Sequence, residues 1–228
     1  MGISLTRLEK KKLDVGLNRL SQAGIDVERW LAMVDADDAE MQRLVSAWPV
    51  LYPSYAYDAV ALFGFGEASK EPFPDAKRGE VVIRYGGWSL QELCSNPVVR
   101  QKDLMWEQDW YHKYPWSSEK LPPGIYRLRT PVPHSNRKNF AEQEQLLAAG
   151  EQTGPVVLVA TALLAHRLHT GEDLLKNDWT RCRERDADGD RVGLHFCEGR
   201  LHVYYDWGDD RDGDLWLSSV RGFPNLET

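Results

Sequence analysis

The chain is poor in cysteine, in basic charge and in long apolar runs, and each shortage removes a class of protein. Three cysteines in 228 residues, Cys94, Cys182 and Cys197, are too few for a disulfide framework. Acidic residues outnumber basic ones by 35 to 28, so no positive surplus exists to displace counterions from phosphates, and nucleic acid is not an expected partner. The longest apolar run, Pro155 to Ala165, falls short of the about 20 residues that cross a bilayer, and no membrane association is expected. Glu9-Lys10-Lys11-Lys12 interrupts what would be the apolar part of a secretory leader, and the expected location is the cytoplasm. Phosphate-cradling glycine loops, dinucleotide fingerprints and serine nucleophile elbows are all missing, so no motif names a reaction.

What is present suits a packed globular protein. Nine tryptophans favour aromatic cores or aromatic-lined grooves over disorder. The acidity is uneven: from Gly171 onward 14 acidic residues face 8 basic ones, a balance of −6 out of −7 for the whole chain. That charge sits mostly in turns, where it keeps a sheet soluble.

Three regions are expected. Residues 1–50 read as a helical N-terminal region of two or three short helices, packing rather than reading DNA, since no helix carries a basic stripe. Residues 51–79 lose periodicity and mix turn formers with aromatics, as an ordered irregular connection would. Residues 80–228 form an α+β domain. Its expected elements are a strand at Glu80–Tyr85, a short helical turn at Leu90–Leu93, and a helix from Asn96-Pro97 to about Lys113 with Val99, Trp106, Trp110 and Tyr114 on one stripe. A strand at Ile125–Thr130 follows. Asn139 and Glu142 make a capping box, and a helix opened by Pro155 is apolar nearly all round and so central.

The C-terminal third reads as an antiparallel β-meander packed on that central helix. Asp186-Ala187-Asp188-Gly189 suits a type I turn with a glycine bulge, and Glu198-Gly199 a two-residue turn. Pairing Asp186 with Asp190 sets Arg181 opposite His195. Pairing Cys197 with Arg200 sets His195 opposite His202. One face then holds Cys182, Val192, Leu194, Phe196, Leu201, Val203 and Tyr205. The other holds Arg181, Arg183, His195, His202 and Tyr204. Leu215–Val220 is the expected fourth strand.

Several groupings are candidates for binding. The row Arg181–His195–His202, with Tyr204 beside it, sets a fixed cation next to two groups that titrate near neutral pH, which suits an anion or a proton transfer. It is also what the polar face of any such sheet contains. The loop His134-Ser135-Asn136-Arg137-Lys138 empties into a helix N-terminus, where N–H groups favour anions, or it is a solvated connection. Trp116 lies beyond Pro115, outside the helical stripe, and is the aromatic most free to serve a pocket.

Metal and cofactor are not expected. His166 and His169 have no third ligand motif, and Asp186-x-Asp188-x-Asp190 has its glycine at the wrong place for a calcium loop. The expected function is a binding or regulatory domain for a small anionic ligand or a peptide. The alternatives are a hydrolase or transferase using histidine acid–base chemistry with arginine holding an anion, and a subunit of a protein complex with an exposed aromatic patch around Tyr52–Phe73.

Overall fold

The computed structural model describes residues 54–221, except Arg78, Lys176, Asn177 and residues 207–209. The expected N-terminal helices of residues 1–50 lie outside the described residues. Helices and strands are both well represented, and the chain is an α+β protein.

The described residues form two sheets. The first has five strands. Glu80–Tyr85 (β2) pairs in parallel with Tyr55–Asp58 (β1) and antiparallel with Gly124–Arg129 (β3). Ser219–Arg221 (β9) joins β3, and the two-residue strand Gln152–Thr153 (β4) closes the order β1-β2-β3-β9-β4. Residues 54–79 therefore enter the fold directly: β1 is an edge strand, Asp58 caps the helical turn Ala59–Leu62 (α1), and an irregular run follows. Of the aromatics there, Phe65 is exposed and stacks on Trp88, while Phe73 lies under the Arg84 guanidinium.

The second sheet has the order β7-β6-β5-β8, built from Trp179–Arg185 (β5), Arg191–Cys197 (β6), Arg200–Asp206 (β7) and Leu215–Leu217 (β8). The expected meander is β5-β6-β7. In the β6–β7 hairpin the register is the expected one, with Cys197 opposite Arg200 and His195 opposite His202. Glu198 and Gly199 both take positive φ (50° and 80°), as a tight two-residue turn requires.

The β5–β6 pair differs. Arg185 faces Arg191 as the turn chemistry demands, but a bulge intervenes, and beyond it Arg181 faces Gly193 and Thr180 faces Leu194. The slip amounts to two residues, so every side chain keeps its face while its partner changes. The Gly154 carbonyl, which takes the Arg183 N–H, gives the bulged backbone another partner. The expected single strand Leu215–Val220 is two: β8 runs parallel to β5 in the second sheet, and β9 belongs to the first.

Ser218 is the joint between them. Its hydroxyl bonds the hydroxyls of Thr130 (2.6 Å) and Thr180 (2.7 Å), its N–H reaches the Arg181 carbonyl, and its carbonyl accepts from Gly154.

The helix Val156–Thr170 (α6) touches strands of both sheets. Every residue from Val156 to His166 is buried, and each fully buried Val or Leu contributes about 1.5–3 kcal/mol relative to exposure. Gly171 ends the helix in the left-handed conformation, φ 78°. His166 is buried against the first sheet, its Nδ1 within 2.8 Å of the Tyr57 hydroxyl, so it serves packing there.

The helix expected from Asn96 to Lys113 stops early. Pro97–Gln101 (α3) is helical and Asn96 caps it, but Asp103 takes φ 49° and the chain straightens. Trp106 donates its N–H to the Leu201 carbonyl, and Leu201 donates to Leu104. Pairing with the edge of β7 thus overrides helical periodicity: the expected stripe does not form, and Trp110 packs instead against Tyr111 and Tyr114.

Candidate functional site

The second sheet has one face on the core. Leu194, Leu201 and Val203 are fully buried there and Phe196 nearly so. Strand alternation sends Arg200, His202 and Tyr204 of β7, His195 of β6, and Trp179 and Arg181 of β5 to the opposite face. Half of that face is covered: Val132, Phe140 and Leu217 make a small second core, with Leu146 and Leu147 partly buried against it.

The other half carries a series of rings. Trp106 stacks on His202 with centroids 5.3 Å apart, His202 meets His195 edge-on at 5.2 Å, and His195 lies flat on Trp179 at 3.4 Å. Tyr204 meets Trp179 edge-on at 5.5 Å and stacks on Tyr205. Gly193, on β6, leaves the Trp179 ring only an ordinary contact, since a Cβ there would lie 3.8 Å from it. Three members remain open to solvent: Tyr204 (46% exposed), Tyr205 (42%) and Trp106 (37%).

Arg181 does not join this series as an open cation. It is fully buried, and its guanidinium donates to the Lys138 carbonyl (3.2 Å), Gln143 Oε1 (3.2 Å) and the Asp210 carbonyl (3.0 Å). The expected row is therefore divided: His195 and His202 come together with Tyr204 nearby, and Arg181 becomes a brace under the covered half.

The loop His134–Lys138 is likewise tied inward. The Ser135 hydroxyl is buried, donating to the Val132 carbonyl and accepting the Leu217 N–H. The Asn136 amide donates to the Gly213 carbonyl and the Arg137 N–H to the Asp212 carbonyl. The helix that follows, Phe140–Glu144 (α5), is capped by its own Asn139–Glu142 box, which engages the Asn139 and Glu142 N–H groups. His134 is exposed, and among the described residues no contact joins it to His195 or His202. Trp116 packs among Trp110, Tyr111 and Tyr114 and donates its indole N–H to the Arg185 carbonyl.

Burial sets the charge of the two sheet histidines. Desolvation, with His202 adding to it, pushes His195 down to about 4. His202 is also lowered, by burial first and then by the Arg200 cation. Both are uncharged at neutral pH, so they offer hydrogen-bonding nitrogens and ring faces rather than cations.

A hollow lies at each end of the ring series. The larger, of about 410 Å³, has Cys94, Val99 and Met105 among its lining, with Arg100, Asp103, Glu107, Trp106 and Arg200 around them. Burial pushes the Cys94 thiol up to about 11, so it is a neutral apolar group. The Arg200 guanidinium lies over the Trp106 ring at 4.0 Å. Its nearest carboxylates, Asp103 at 3.8 Å and Glu198 at 3.9 Å, are both highly exposed and too far for a hydrogen bond. The smaller hollow, of about 150 Å³, is lined by Trp179, Tyr204, Tyr205, Asp212, Asp214 and Leu215.

Trp106, Trp179 and Arg200 were within reach of sequence reasoning in part. Arg200 and Trp179 follow from alternation with His202 and Arg181 along their strands. Trp106 carried the signal of a helix and not of a sheet edge. Among the described residues no group of three or more histidine, cysteine or acidic side chains is placed to hold a metal ion, and no helix is long and apolar enough to cross a membrane. Comparison with protein-family models, with curated proteins and with solved structures finds no match for this chain, so its function is to be read from these residues.

Proposed function

We propose that this chain is a cytoplasmic binding or regulatory domain for a small anionic ligand, or for a peptide presenting a carboxylate, and that the ligand enters the hollow beside Arg200. One observation carries the reading. The Arg200 guanidinium is stacked on Trp106 and has, among the described residues, only two long ion pairs, to exposed carboxylates, at the edge of an open hollow of about 410 Å³. A guanidinium held flat by an indole presents its fork to a carboxylate or phosphate with little further ordering. Val99, Met105 and the neutral Cys94 thiol would receive an apolar tail without repelling the charge. Arg100 adds a second cation, shared with Glu107 at 3.2 Å.

Calorimetric titration with acetate, butyrate, sulfate and inorganic phosphate at pH 6 and pH 8 tests this. Butyrate is expected to bind more tightly than acetate, with little change between the two pH values, because arginine stays charged throughout. Arg200→Gln is expected to weaken binding roughly tenfold, as loss of a charged hydrogen-bond pair does. Equal binding of butyramide and butyrate, or an unchanged affinity in Arg200→Gln, would sink the reading.

The adjacency of His195 and His202, 5.2 Å between ring centroids, favours a second reading as a hydrolase or transferase using one of them as base. Turnover of ester or phosphoester substrates that disappears in His202→Gln would move the conclusion to that side.

A further inference from the structure

We infer that the smaller hollow, at the opposite end of the ring series, is a site for an organic ammonium cation, with methylated ammonium as its best occupant. Trp179, Tyr204 and Tyr205 supply aromatic walls, and Asp212 and Asp214 supply the charge. Neither carboxylate has a hydrogen-bond or ion-pair partner of its own among the described residues, whereas the backbone around them is pinned. Trp179 donates its N–H to the Asp214 carbonyl at 2.8 Å, and Arg137 donates its N–H to the Asp212 carbonyl at 3.0 Å. The loop is thus held in place by its main chain while its acidic side chains remain available.

Electron-rich ring faces attract a cation, and they attract most strongly one too weakly hydrated to prefer water. Methyl groups on nitrogen meet that condition and bury apolar surface against the rings at the same time. A bare metal ion would need several oxygen ligands in a closed shell, and two exposed aspartates beside aromatic walls do not provide one. Charges of both signs surround the hollow. Asp178 close by has its carboxyl raised, by burial first and then by the charge of Asp214. Arg211 is occupied by Glu142 at 2.8 Å. The Arg137 side chain lies against Gly213, on the loop that carries both aspartates. The volume, about 150 Å³, suits a head group and not a whole ligand. The rest of the molecule, whether a free small alcohol or a lysine side chain in a peptide, would lie over Tyr204 toward solvent.

The site goes beyond the Arg200 hollow and stands or falls separately from it. Binding is read by tryptophan fluorescence and calorimetry with choline, with its neutral isostere 3,3-dimethylbutan-1-ol, and with a peptide containing trimethyllysine. Choline or the peptide is expected to bind at least roughly tenfold more tightly than the neutral alcohol. Whichever of the two binds more tightly identifies the source of the ammonium group. Tyr204→Ala and Asp214→Asn, both on exposed side chains, should each weaken binding roughly three- to tenfold, while Arg200→Gln leaves it unchanged. Arg137→Ala should strengthen it, by removing a like charge. Equal affinity for choline and its neutral isostere would overturn the assignment. So would choline binding that survives both Tyr204→Ala and Asp214→Asn, or binding that calcium ions abolish at equal concentration.

Discussion

The Trp179 indole lies on the His195 imidazole with centroids 3.4 Å apart and planes 13° from parallel. A ring covered on one face loses much of its hydration, and a proton placed on it would find no carboxylate to compensate. Burial first and then the neighbouring His202 both hold the His195 pKa down.

Stability should therefore fall in acid over a defined window. An unfolded imidazole titrates near 6.5 and the folded one at about 4, so the unfolded chain takes up this proton first. The contribution is fully present above pH 6.5 and is lost as pH falls toward 4. His202, lowered for similar reasons, adds in the same direction. Thermal midpoints measured from pH 7.5 to pH 4 should decline, and His195→Phe should flatten that part of the curve. A His195 resonance titrating at or above 6.5 by NMR would contradict the stacked geometry.

Arg181 is expected to matter for folding and not for ligand affinity. Arg181→Met leaves the buried Gln143 amide oxygen and the part-buried Lys138 and Asp210 carbonyls without this donor. An unpaired buried acceptor costs about 1–3 kcal/mol, so a loss of about 1–3 kcal/mol is expected in urea unfolding. Arg181→Lys should recover little, because one ammonium does not span three acceptors that a planar fork reaches. A variant as stable as the parent would refute the brace.

Gly154 is a third test. A Cβ there would sit 2.7 Å from Val159 Cγ2 and 3.4 Å from the Ser218 carbonyl oxygen, with the central helix on one side and the joint between the sheets on the other. Gly154→Ala should destabilise by about 1–3 kcal/mol through overpacking. Gly150→Ala, with nothing near its Cβ but a φ of 77°, provides a comparison in which only backbone strain is added.

Chelation gives a fourth. Treatment with EDTA should leave the thermal midpoint unchanged, and a fall restored by zinc or calcium would show a site whose ligands are not grouped among the described residues.

Local chemistry made some of this legible in the sequence. The Glu198-Gly199 turn and the alternation around it give the β6–β7 register, and with it the contact between His195 and His202, because both constraints act within a few residues. The Asn139–Glu142 capping box is local in the same sense. What could not be read depends on partners far along the chain. The bulge in β5 goes with Gly154, the burial of Arg181 with Lys138, Gln143 and Asp210, and the straightening of Leu104–Trp106 with the free edge of β7. Alternation predicts which face a side chain takes; it carries no information on which segment will cover that face. Hence Arg181 was visible as a member of the row but not as its buried end.

Ser218 lets three residues on either side serve two sheets, and this has a mechanical side. Its hydroxyl links Thr130 of the first sheet's margin to Thr180 of the second, and its main chain holds Arg181 and Gly154. β8 and β9 are thereby separated by a single residue whose hydroxyl and main chain are all bonded. Trp179 is the partner of Leu215 at the near end of β8. The outer rings are thus tied, through one short strand and one fully bonded residue, to the strand that completes the other sheet.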